Sequence, residues 1–369
     1  MKLFGHGIGA VYKHTLSEKQ WAPPGVSLIA ARKMWPVTSG ENCVVAVLDT
    51  GIDYTHPDLA GNIIGGISMI AGEKDYRDEN GHGTHVAGTI AANGKLLGVA
   101  PQAKLLAVKV LDKDGSGSYA SISQGIAWAR KWQGPGGEKV NVINMSLGGP
   151  VPNNSLHKEI TLAVQAGISV VCAAGNAGDG DPDTPELSFP AYYEESLSVG
   201  AIDLQVGLAN FSNSNERIDI VAPGVDTYST YPDNRYVELS GTSMAAPHIS
   251  GALALIYSRC YKRFGVYPTP EQIRKLLHYQ AIDLGETGFD NLAGFGLFSF
   301  NIDGGKSIKL YINQKVYKVN AQEKSLANAP FMQNSIACGS IEEISDLLST
   351  DTLYVPTDQQ QEGAILIWS

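Results

Sequence analysis

Four short, β-branched stretches of the chain, at 43–48, 105–110, 140–145 and 168–173, are apolar at almost every position rather than at every second one. A strand wetted on one side alternates, so runs of this kind predict strands covered on both faces of a parallel sheet. Segments 119–132 and 155–166 carry helical spacing between them, which makes the order β-α-β-α. The predicted fold class is therefore α/β: a doubly wound, mostly parallel sheet with helices on both faces. Ligands bind such sheets beyond the carboxyl ends of the strands. Asp49 closes the first run and Asn176 follows the fourth, so both fall on that edge.

A further helix starts near Ser243. Ala245, Ala246, Gly251, Ala252 and Ala254 keep it narrow, while Ile249, Leu253, Leu255 and Ile256 cover several of its faces. Apolar all round, it is expected to lie buried at the centre of the molecule. Pro247 is expected in its first turn, where a missing N–H costs nothing. His82 opens another helix. After residue 300 the pattern changes, with 308–312 and 315–319 alternating about Asn313-Gln314 as a β-hairpin, then a helix near 341–349 and a Gln-rich turn at 359–361. The chain thus divides into a leader, 1–20, a main domain, 21–300, and a small β-rich appended element, 305–369.

With 369 residues, 43% hydrophobic and 17% charged, the chain is long enough to bury a large core and too apolar for disorder. A net charge of −10, with no Lys/Arg run longer than two, argues against nucleic acid as a partner. No window approaches the roughly 20 apolar residues of a membrane span, and the opening segment lacks a signal-peptide pattern, so no membrane partner and a cytoplasmic location are expected. Cys43, Cys172, Cys260 and Cys338 show no paired spacing and read as reduced, structural thiols.

Three flanked residues carry the candidate chemistry: Asp49 in Val47-Leu48-Asp49-Thr50-Gly51, His82 in His82-Gly83-Thr84-His85, and Ser243 in Gly241-Thr242-Ser243-Met244-Ala245. A serine hydroxyl is a weak nucleophile, so acyl transfer needs an imidazole to take its proton and a carboxylate to hold that imidazole. It also needs donors for the oxyanion, which the Asn176 amide and the Ser243 backbone N–H can supply. Other readings fare worse. His82 and His85 alone are too few for zinc, 179–183 lacks EF-hand spacing, and no G-x-S-x-G elbow surrounds Ser243 as a lipase would need.

The three motifs, their order and Ala173-Ala174-Gly175-Asn176 resemble the subtilisin family of serine proteases. Residues 171–176, 178–181 and 186–190 and the short leader resemble its intracellular branch. The resemblance implies a serine endopeptidase acting through an acyl-enzyme, with protein or peptide substrates and no cofactor for the chemistry. It implies that substrate adds as a strand between Gly115-Ser116-Gly117 and Ser146-Leu147-Gly148. It also implies that Ala173, Ala174, Gly175 and Ser188 line the pocket for the residue before the scissile bond, an uncharged set. A shielding leader and a homodimer belong to the same expectation. Structural calcium in this family lies between a residue matching Asp58 and a loop here reduced to 93–97, and a second cation near Asp219, where Arg217 stands in place of an acid. Both departures weaken the expectation of calcium. The rival reading is a subtilisin-fold scaffold without activity.

Overall fold

The computed structural model describes residues 20–301 and, further on, the backbone of five short strands between 308 and 338. The main-domain strands are β1 (Val44–Asp49), β2 (Ile63–Ser68), β3 (Lys104–Lys109), β4 (Val142–Met145), β5 (Ser169–Ala173), β6 (Leu197–Ile202), β7 (Ile218–Pro223), β8 (Thr227–Tyr231), β9 (Arg235–Leu239), β10 (Ala281–Ile282) and β11 (Leu297–Phe298). The helices are α1 (Pro24–Leu28), α2 (His82–Ala91), α3 (Tyr119–Lys131), α4 (Asn154–Gln165), α5 (Thr242–Phe264) and α6 (Pro270–Tyr279).

One sheet takes the order β10-β11-β7-β6-β5-β4-β1-β3-β2, parallel throughout except for the β10–β11 pair. The chain winds one way from β1 through β2 and β3 and the other way from β4, so the order reverses between β1 and β4. Asp49 and Ser146 flank that reversal, where such folds place their ligands.

The apolar runs have a simple cause. Val45 and Val47 of β1 enter a core with α2 and α5, while Val44, Ala46 and Leu48 enter a second core with Ile122 and Ile126 of α3 and Leu156 and Ile160 of α4. Each face is buried, so neither set of alternate positions is polar. β2, β6 and β7 escaped the pattern because Gly65, Gly66, Ser198 and Asp219 interrupt them.

α5 is buried from Thr242 through Ser258. It is not featureless: Ser243, Ser250 and Tyr257, seven residues apart, each reach the sheet. The Ser146 hydroxyl donates to the Ser243 carbonyl (2.8 Å), the Ser250 hydroxyl to Asn144 Oδ1 (2.8 Å), and the Tyr257 and Ser169 hydroxyls bond each other at 2.8 Å. Pro247 corrects the expectation made for it. It is the sixth residue of the helix, not part of the first turn, and the N–H it lacks would have bonded the Ser243 carbonyl. The Ser146 hydroxyl satisfies that carbonyl instead.

Beyond the domain, Ile308–Leu310 pairs antiparallel with Val316–Val319, the hairpin expected from alternation, and Gln322–Ser325 adds to it. Phe331–Gln333 pairs with Ile336–Cys338. The leader up to residue 19, the helix expected near 341–349 and the Gln-rich turn lie outside the described residues.

Candidate active site

Asp49 is the last residue of β1 and fully buried. Its Oδ1 accepts from the Thr50 amide (2.8 Å) and from Nδ1 of His82 (2.8 Å), the first residue of α2. A carboxylate only accepts, so Nδ1 carries a proton, and in the neutral ring Nε2 presents its lone pair. Nε2 is buried and makes no hydrogen bond. Gly83 permits the approach, because a Cβ there would lie 2.1 Å from the Gly51 carbonyl and 3.1 Å from the Asp49 side chain.

α2 is held in place by Asp78. One of its oxygens accepts from the Thr50 hydroxyl (2.8 Å), the Asn80 amide (3.0 Å) and the Gly81 amide (2.9 Å), the other from the Thr84 amide (2.9 Å) and hydroxyl (2.6 Å). A carboxylate at this end satisfies orphan amides and favours the helix dipole. An acidic residue just ahead of the His82 helix is a capping signal carried by the residue order itself.

Ser243 is the second residue of α5. Its hydroxyl donates to the Ser146 carbonyl at 3.2 Å. It is not hydrogen-bonded to His82 Nε2, which is common before substrate tightens a site. Asn176 is pinned through Oδ1, which accepts from the Thr242 amide (2.9 Å) and hydroxyl (2.8 Å). Its donor end, Nδ2, is thereby oriented beside the start of α5. The set can take a proton from a hydroxyl, orient the base, and donate to a developing oxyanion.

The profile of the "Subtilase family" matches residues 40–296. The chain belongs to the subtilase family. The subtilase is 48% identical over 273 residues to "Intracellular serine protease" of Paenibacillus polymyxa, covering 72% of this chain and 82% of that one. It is 52% identical over 245 residues to "Major intracellular serine protease" of Bacillus subtilis (strain 168), covering 64% and 75%. "Subtilisin Savinase" of Lederbergia lenta is 47% identical over 262 residues, covering 70% and 89%. The chain is accordingly a subtilisin-like serine endopeptidase acting on protein or peptide substrates. Among the described residues, no helix is long and apolar enough to cross a membrane.

The expected substrate segments of the subtilase converge on the same sheet edge. Gly115, Ser116 and Gly117 follow β3, and Ser146, Leu147 and Gly148 follow β4; the Tyr119 hydroxyl donates to Val151 O at 2.6 Å and ties the two regions together. Ala173 ends β5, and Ala174 and Gly175 lead to Asn176. Gly149 and Phe189 exchange backbone bonds of 2.9 and 2.8 Å, which brings Ser188, with its buried hydroxyl unbonded, beside residues 146–149. Cys43, Cys172 and Cys260 are buried free thiols, and burial pushes Cys172 up to about 12.

The donors present at the family's two cation positions do not fit a divalent ion. Asp58 Oδ1 accepts from the Lys95 amide (2.8 Å), and its Oδ2 from the Leu96 amide (2.9 Å) and the Tyr236 hydroxyl (2.7 Å). The short loop thus turns N–H groups toward the carboxylate where calcium would need oxygens. At the second position Asp219 accepts from the Ser198 amide (2.9 Å) and bonds His278 Nε2 (2.8 Å), while the Arg274 guanidinium donates to the Glu194 and Ser196 carbonyls.

Proposed function

We propose that Ser243 attacks the scissile carbonyl, that His82 Nε2 takes its proton and passes it to the leaving amine, and that Asp49 holds the imidazole tautomer and stabilises the imidazolium. Asn176 Nδ2 and the Ser243 amide donate to the oxyanion at the positive end of α5. The observation that carries this reading is the 2.8 Å Asp49–His82 bond, which leaves the buried Nε2 as the acceptor on the edge from which α5 starts. Water then releases the acyl group by the same proton transfers in reverse.

Substrate is proposed to lie as a strand between 115–117 and 146–148, with Ala173, Ala174, Gly175 and Ser188 around the residue before the cut. None of these carries a charge, which favours uncharged residues there. The reading includes a cytoplasmic location, in keeping with the two relatives named as intracellular proteases. Profiling with a peptide library and a fluorophosphonate probe tests it. The expected result is cleavage after varied uncharged residues, stopped by an adduct on Ser243. Strict cleavage after Arg or Lys overturns the pocket; absence of an adduct and of turnover favours the inactive scaffold.

We further propose that the Asp58 clasp does the work of a bound ion. Asp58→Ala leaves two amides and a phenol without their acceptor, a loss of about 3 kcal/mol or more. In a domain this size that lowers Tm by roughly 6–12 °C. Thermal unfolding of wild type is expected to be the same in calcium and in chelator. A shift of many degrees between the two conditions would sink the proposal.

A further inference from the structure

Lys109 is the only Lys or Arg among the buried described residues, at 1% exposure, and the acid–base reading above gives it no part. It ends β3, in register with Asp49 at the end of β1. The alternation that sends Val45 and Val47, and Leu105 and Ala107, into the α2/α5 core sends Asp49 and Lys109 to that same face. Nζ donates to the Thr50 carbonyl at 2.8 Å and lies 3.5 Å from Glu73 Oε2, whose side chain is one-third exposed.

Thr50 is the hub of the site. Its amide orients Asp49 Oδ1, its hydroxyl donates to Asp78, and that same hydroxyl accepts the Gly83 amide of α2 at 3.0 Å. Its carbonyl is the remaining handle, and Lys109 holds it. A buried ammonium costs several kcal/mol to desolvate, and one exposed partner at 3.5 Å does not offset that. Two buried carboxylates bond the same residue that Lys109 holds: Asp49 accepts the Thr50 amide, and Asp78, just ahead of α2, accepts the Thr50 hydroxyl.

We propose that Lys109 is a positioning residue of the reaction: its ammonium fixes the Asp49-Thr50-Gly51 turn through the Thr50 carbonyl and balances the buried negative charge around His82. The inference rests on the roles given above to Asp49 and His82. The charged and titratable groups about His82 are Asp49 on β1, Asp78 ahead of α2, Lys109 on β3 with Glu73 beside it, and the buried His85 and His248.

Charge sets the direction of each shift. Lys109→Met removes a positive charge, so protonated His82 becomes easier to form, and the acid limb of kcat/KM moves to higher pH, by about half a unit or more. The loosened turn lowers kcat about tenfold or more and moves KM less, because the Lys109 ammonium bonds the Thr50 carbonyl beside Asp49 and not a substrate segment. Glu73→Gln removes a negative charge at the surface and moves the acid limb the opposite way with kcat nearly kept. Lys109→Arg, which keeps the charge, stays nearer wild type in pH profile than Lys109→Met. Tm is read alongside; if Lys109→Met fails to fold, the shift of the Glu73→Gln acid limb to lower pH and the nearly unmoved acid limb of Lys109→Arg decide. A folded Lys109→Met with wild-type kcat and acid limb, or a Glu73→Gln shift to higher pH, overturns the inference. Wild type that takes no fluorophosphonate on Ser243 would instead remove the triad reading on which it stands.

Discussion

Ser243→Ala is expected to lower kcat about a million-fold while leaving the fold intact, and Asn176→Ala to lower it only about 10²–10³-fold. Both figures are those of subtilisin itself and are carried over by family membership. The two residues fail differently. Without Ser243 there is no acyl-enzyme, and His82 and Asp49 have nothing to activate. Without Asn176 the acyl-enzyme still forms, but one oxyanion donor is gone while the Ser243 amide at the start of α5 remains. Asn176→Ala also strips the acceptor from the Thr242 amide and hydroxyl, so a lower Tm accompanies it. The double variant should be no slower than Ser243→Ala, since groups acting in one step are not additive. Peptide hydrolysis by purified variants decides the matter. Residual activity of Ser243→Ala within a hundredfold of wild type would show that the nucleophile lies elsewhere.

Acid should weaken this protein well before its carboxylates protonate. His85 is fully buried, with Nε2 donating to the Thr227 and Val237 carbonyls (2.9 and 3.2 Å) and Nδ1 lacking any partner. His248 is fully buried, with Nδ1 donating to the Met244 carbonyl (2.8 Å) and Nε2 lacking any partner. A second proton on either ring would sit in an apolar core without an acceptor, so burial lowers His85 to about 3 and His248 to about 4 from 6.5. The unfolded chain takes these protons first. Stability is therefore complete above pH 6.5 and falls as pH drops below it, by about 1.4 kcal/mol per unit for each histidine, until the folded values are reached. At pH 5 the two together remove about 4 kcal/mol, a large part of a typical domain's 5–15 kcal/mol. Urea unfolding of Ser243→Ala, which cannot digest itself, at pH 7 and pH 5 measures this, and His248→Gln should flatten the slope by about half. Equal stability at the two pH values would refute the account.

The difference between what the sequence disclosed and what it hid follows burial chemistry. The runs at 43–48 and 105–110 were legible because both faces of those strands are dry. His82 and Ser243 were legible as helix starts, and Asp49 and Asn176 as neighbours on one edge, because motif and periodicity agreed. Pro247 was misplaced because only the packed structure shows that Ser146 supplies the bond its ring removes. Lys109 stood in plain view as a charge inside an apolar run, yet its partners are a carbonyl 59 residues away and a loop glutamate. Asp58 was suspect from loop length alone. That the short loop answers it with its own amides is a backbone fact, invisible in residue types.

The seven-residue spacing of Ser243, Ser250 and Tyr257 along α5 has a mechanical meaning. A helix apolar on all sides would slide along its groove at little cost, since one greasy turn resembles the next. Here each of three successive positions meets a single matching polar group on β4, just after it, or on β5, so displacement by one turn would orphan all three at about 1–3 kcal/mol apiece. The contacts act as index marks. They set how far the helix protrudes beyond the sheet, and with it the height at which Ser243 stands relative to Asp49.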